Sequence, residues 1–108
     1  MIKLYRAISQ KEKDDYDELK IFRTGKNTLE AKQFFKSRTA VKQFVASSVI
    51  QDYDPAYIYL LVIEVDEELF DKSNPSNMKL DGYDAVNVDE DDLPSFNNCV
   101  IFVKQESL

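Results

Sequence analysis

The chain predicts one α+β domain built on a mixed, split β-sheet with two main helices. Extended patterns dominate its second half. Two amphipathic stretches, both in the first half, carry helical spacing. The length of 108 residues suits a single domain, residues 1–108, and 44% hydrophobic with 12% aromatic content is enough to fill a core.

The elements follow in order. Ile2, Leu4, Arg6 and Ile8 alternate with Lys3, Tyr5 and Ala7, which predicts a first strand. Ser9 is a good helix N-cap and Glu12, three residues on, completes a capping box. A polar helix over Gln10 to Lys20 follows, with Tyr16 and Leu19 inward. Ile21 and Phe22 form a brief extended piece, and Gly25-Lys26-Asn27 a turn. Lys32 to Lys36 reads as a short strand, and Ser37 as the cap of a second helix from Arg38 to about Ile50. There Val41, Phe44, Val45 and Ser48 share one face. The segment Asp52 to Pro55 ends it.

Ala56 to Val65 is apolar on both of its faces, as a strand covered on two sides must be. Asp66 to Asp71 reads as a turn or a single helical turn, and residues 73–77 as a loop. Tyr83 to Val88 is a short strand, Asp89 to Pro94 an acidic loop, and Asn98 to Lys104 the closing strand.

Composition excludes several chemistries. The chain has no His, which removes His-based triads and dyads and every His-ligated metal site. Its one Cys, Cys99, can form no internal disulfide and reads as a small buried hydrophobe. No apolar run approaches a bilayer span, and the first 15 residues lack the apolar stretch of a signal peptide, so a cytoplasmic protein with no membrane partner is expected. The net charge of −6 is segregated along the chain. Residues 1–42 hold 11 Lys/Arg against 6 Asp/Glu, and residues 43–108 hold 3 against 14. On folding, the halves could neutralise each other. A cationic patch could instead take a phosphate-bearing nucleotide, or the acidic stretch meet a basic partner protein. Nucleic acid is disfavoured by the overall acidity.

Three positions draw a functional reading. Arg6 stands in phase with an apolar row, where a guanidinium must be paired by the protein's own carboxylates or grip an external anion. Ser37, flanked by Lys36 and Arg38, combines a capping role with a candidate anion or ribose site. Of Phe34 and Phe35, one must point opposite to the other, so only one could offer a stacking surface for a flat ring. Asp71, Ser73 and Asn77 only loosely suggest a calcium loop, and Glu64 is a charged residue at a strand end.

Residues 4–9 (Leu-Tyr-Arg-Ala-Ile-Ser), residues 30–37 (Glu-Ala-Lys-Gln-Phe-Phe-Lys-Ser) and the helix with Ala40 and Phe44 together resemble the front half of small ADP-ribosyltransferase-fold proteins of bacteria and phages. Residues 81–86 and 96–101 resemble the closing strands of that fold. The resemblance implies a split-sheet cleft for NAD, used to transfer ADP-ribose to a protein or nucleic acid, as a toxin or phage inhibitor would. It implies that Arg6 holds the adenosine ribose and phosphates, and that Ser37, with Lys36 beside it and Phe34 or Phe35, lines the nicotinamide pocket. A carboxylate near the last strands would steady the oxocarbenium-like charge. The chain departs there: Phe96-Asn97-Asn98 stands where the acid is expected. That leaves Glu90 or Asp92 from the acidic loop, and Asn97 or Asn98, as catalytic candidates. The alternative from a different class is a non-enzymatic acidic binding module, such as an immunity or inhibitor protein, that docks on a basic partner.

Overall fold

A computed structural model of the chain describes residues 2–22, 31–50, 57–73, 75–80 and 82–107. The elements run β1 (Ile2–Ile8), α1 (Gln10–Leu19), β2 (Ala31–Phe35), α2 (Arg38–Ile50), β3 (Tyr59–Val65), α3 (Glu67–Lys72), β4 (Ser76–Leu80), β5 (Tyr83–Asp89), α4 (Leu93–Cys99) and β6 (Val100–Ser107), with a 3-10 turn at Glu90–Asp92 between β5 and α4. The expected turns at residues 25–27 and 52–55 lie outside the described residues.

The α+β class stands, but the sheet is not mixed. Its six strands lie in the order β4-β5-β2-β1-β3-β6, and every described pairing is antiparallel. A parallel neighbour would need each connecting segment to carry the chain back to its starting end of the sheet. Three connections do so, through α2, α3 and α4, but the like-directed strands they join are never neighbours: β1 separates β2 from β3, and β3 and β4, like β5 and β6, have three strands between them.

Each strand sends alternate residues to opposite faces. The first face carries Leu4, Ile8, Phe34, Leu61, Ile63, Val65, Val86 and Val88, buried together with Tyr16 of α1, Phe70 of α3 and Leu93, Phe96 and Cys99 of α4. The second face carries Ala7, Phe35, Leu60, Val62 and Ala85 under Ala40 and Val41 of α2. β3 feeds both cores, as its two apolar faces predict. The first core is aromatic at its centre. Phe34 and Phe96 stack with ring centroids 4.7 Å apart, and Phe22 meets both edge-on at 5.4 and 5.9 Å.

The two main helices, α1 and α2, are present, and among the described residues two shorter ones, α3 and α4, join them. α3 is capped by Asp66, whose carboxylate accepts from the Leu69 N–H at 2.9 Å, and it buries Phe70. α4 replaces part of the expected acidic loop and the first residues of the expected closing strand. Pro94 sits in its first turn, where a missing N–H costs nothing, and Leu93, Phe96 and Cys99 recur every three residues on the buried side. The closing strand therefore starts at Val100. Ser76 and Asn77, expected in a loop, belong to β4 because they pair with Asn87 and Val86 of β5. Pairing across the sheet overrode the local turn preference. α1 ends one residue earlier than expected, at a left-handed Lys20 (φ 57°) whose N–H bonds the Tyr16 carbonyl.

Phe96 is fully buried and touches three other rings, so Phe96→Ala is expected to cost about 3–5 kcal/mol of stability. Urea unfolding followed by far-UV circular dichroism measures it.

Candidate functional site

β1 places Arg6 on the first face, opposite Leu61 of β3 and 5.7 Å from the Phe34 ring centroid. An unpaired guanidinium would be untenable there. Glu12 of α1 answers it. The Arg6 Nε donates to Glu12 Oε2 at 2.7 Å, Nη2 donates to Oε1 at 2.9 Å, and Nη1 donates to the Gln33 carbonyl of β2 at 2.8 Å. This is the bidentate fork that makes arginine–carboxylate pairs strong. Lys32 of β2 adds a second cation, with Nζ 3.4 Å from Glu12 Oε1.

Glu12 is thus the hub. The Ser9 hydroxyl does cap its backbone N–H, at 3.4 Å, but the Glu12 side chain turns down onto the sheet to meet Arg6 and Lys32. Burial alone would raise its pKa; the hydrogen bonds and charges of Arg6 and Lys32 together outweigh that and hold the carboxyl below its usual range. Burial, then the neighbouring Arg6, pushes the Lys32 ammonium below its usual range. Arg6 takes the short bonds and Lys32 is the subordinate partner.

The other candidate residues do not converge on Arg6. Tyr5 of β1 stands opposite Phe35 of β2, so Phe35 shares the Tyr5 face, whereas Arg6 lies on the other. Phe35 is buried beneath α2, its ring 5.4 Å from that of Phe44. Phe34 does share the Arg6 face, but it is fully buried in the aromatic core. The Ser37 hydroxyl accepts from the Ala40 N–H at 3.1 Å, the capping role read from its position, at the start of the α2 helix on the second face. Arg38 beside it makes two bonds to Glu106 of β6, at 2.6 and 3.2 Å, and lies over the Tyr5 ring. Lys36 leaves β2 and donates from Nζ to the Asn77 Oδ1 at 3.1 Å.

Of the catalytic candidates, Asn97 is a structural clamp. Its Oδ1 accepts from the Phe22 N–H at 2.7 Å and its Nδ2 donates to the Phe22 carbonyl at 2.8 Å, which ties the segment after α1 to α4. Glu90 is exposed on the 3-10 turn that leads into α4, and Asn98 is exposed on α4. Ser73, one of the loosely calcium-like residues, is buried with its hydroxyl donating to the Phe70 carbonyl at 2.7 Å. Cys99 is buried, and burial raises its thiol pKa.

Sequence reasoning missed the charge pattern that the sheet creates. The helices of the first face are acidic. α1 carries five acids against two lysines; α3 with its cap Asp66 carries four against one; residues 89–92 carry four and no base. α2, on the second face, carries Arg38 and Lys42 and no acid. Assigning helices to faces before counting charge was the signal that could have found it. Among the described residues, no helix is long and apolar enough to cross a membrane. No protein-family model, no curated protein and no solved structure matches this chain.

Glu12→Gln would leave Arg6 and Lys32 facing each other over a neutral amide. The expected cost at pH 7 is about 2–3 kcal/mol, below the fully buried range because the cluster is partly exposed. A carboxylate whose folded pKa is depressed contributes stability above its unfolded pKa and loses it as pH falls through the folded value. The wild type should therefore weaken steeply on acidification below the usual glutamate range, and Glu12→Gln should flatten that limb. Chemical denaturation at a series of pH values checks both.

Proposed function

We propose that the protein is a non-enzymatic binding module that docks its acidic helical face onto a basic protein surface. The observation that carries this reading is the gathering of three acidic segments, far apart in sequence, on one face of the sheet. α1, α3 and α4 all pack on that face, α3 lies against α4, and the acidic 3-10 turn runs directly into α4. Glu67, Glu68, Glu90 and Asp91 are exposed there. A concentrated field of one sign steers a partner of the other sign and raises its association rate, by roughly 10- to 1,000-fold in favourable cases. The same field repels a polyanion, which argues for a protein partner over nucleic acid.

The choice over an NAD-using transferase rests on Arg6. Its fork is already matched to Glu12, and binding a cofactor phosphate there would leave Glu12 with only its subordinate partner, Lys32. Phe35 and Ser37, the other residues of the implied pocket, serve the α2 side of the sheet.

A charge-matched pair of variants tests the reading. Glu67→Gln with Asp91→Asn neutralises two acids of the helical face; Glu64→Gln with Glu106→Gln neutralises two acids of β3 and β6. Both leave a formal charge of −4. Against a synthetic lysine- and arginine-rich peptide, calorimetry should show the helical-face variant weakened severalfold more than its control, with the difference shrinking at high salt. Equal loss in both would mean that net charge alone drives binding and would overturn the proposal. Millimolar NAD should leave the thermal midpoint unchanged. A rise that Arg6→Ala abolishes would restore the cofactor reading.

A further inference from the structure

A pocket of about 420 Å³ opens on the first face, where the start of β1 meets the exit of β2, α3 and the start of β4. Its lining is part apolar, with Ile2 from β1 and Pro75 at the surface and Leu4 and Phe70 buried behind them. Two charges of opposite sign stand on its lining, Lys36 and Asp71, with the Asn77 amide beside the lysine. Among the described residues, no ion pair joins Lys36 to Asp71. The backbone that carries Asp71 is anchored by Phe70, which is buried in the core and whose N–H bonds the Asp66 carbonyl. The Lys36 backbone N–H bonds the Asp84 carbonyl at 3.3 Å, and its ammonium is oriented by the bond to Asn77.

These features select a ligand class by elimination. A plain carboxylate would satisfy Lys36 and be repelled by Asp71. A plain amine would meet the reverse. An uncharged apolar molecule would use the apolar part of the lining and leave both charges unmet. A zwitterion with an apolar tail meets all three demands at once. We propose that this pocket binds a free α-amino acid with an apolar side chain. Its carboxylate is taken by the Lys36 ammonium and the Asn77 amide, its ammonium by Asp71, and its side chain lies against Ile2 and Pro75. Lys36 has three donors and spends one on Asn77, so the ligand carboxylate joins that contact without displacing it. The volume lies within the usual range for small-molecule sites. Both charges are solvent-exposed, which screens them, so weak binding with a dissociation constant of about a millimolar is expected. The site needs no docking partner and is independent of the acidic-face reading.

Titration of the labelled protein with L-leucine, L-methionine and L-phenylalanine, followed by amide NMR shifts, tests the proposal and reports at the same time that each variant is folded. Saturable shifts are expected at Phe70, Asp71 and Asn77. N-acetyl-leucine and leucinamide, each lacking one charge, should bind about tenfold more weakly than leucine. The variants should cross with the ligands. Asp71→Asn weakens leucine but leaves N-acetyl-leucine bound as well or better, and Lys36→Met weakens leucine but leaves leucinamide bound as well or better. Absence of saturable shifts for all three amino acids overturns the proposal, as does binding of the blocked derivatives equal to that of leucine.

Discussion

The contact between Glu12 and Arg6 is the constraint around which the first face is organised. A guanidinium in an apolar row forces the chain to bring a carboxylate to it, and α1 is the element that does so. The consequence is geometric before it is energetic. A bidentate fork, together with the bond from Arg6 to the Gln33 carbonyl, fixes α1 over β1 and β2 at once. Replacing such a cluster with packed apolar residues often costs little stability. Its value here lies in specifying where a very polar helix must sit. α1 has few apolar residues of its own, and Tyr16 is its buried anchor in the core.

The second constraint is strand parity. Tyr5 opposite Phe35 settles that Phe35 and Arg6 belong to different faces, and no side-chain adjustment can undo it. Residues that look like neighbours in sequence order, such as Phe35, Ser37 and Arg6, are therefore divided by the thickness of the sheet. The same parity gathers what the sequence scatters. Glu12, Glu67 and Asp91 lie in three separate segments, yet all three segments cover one face. Acidic segments from both halves of the chain, α1 from the first and α3 with residues 89–92 from the second, meet on that one face. In the pairs Lys3–Glu64 and Arg38–Glu106 a base of the first half meets an acid of the second.

Local signals were legible wherever they carried a physical mechanism. Ser9 and Ser37 cap helices as their hydroxyls and positions predict, and α2 spans Arg38–Ile50, the range its periodicity marks. β1 and β3 follow from alternation. The failures have equally specific causes. α4 was hidden because an acidic run and Pro94 read as loop, although Pro suits a first helical turn. β4 was hidden because Ser76 and Asn77 favour turns and form a strand only through their partners in β5. Asn97 looked available for chemistry because a sequence cannot show the Phe22 backbone it clamps.

By itself the amino-acid sequence determined the class of the domain, the faces of its main strands, the helix caps, and the requirement that Arg6 find an anion. Each depends on residues within a few positions of one another. Only the tertiary structure decided which anion that is, that every pairing is antiparallel, and that Lys36 and Asp71 share one pocket. These depend on pairs brought together from distant parts of the chain, and their identity is set by strand order and register, which no local pattern encodes.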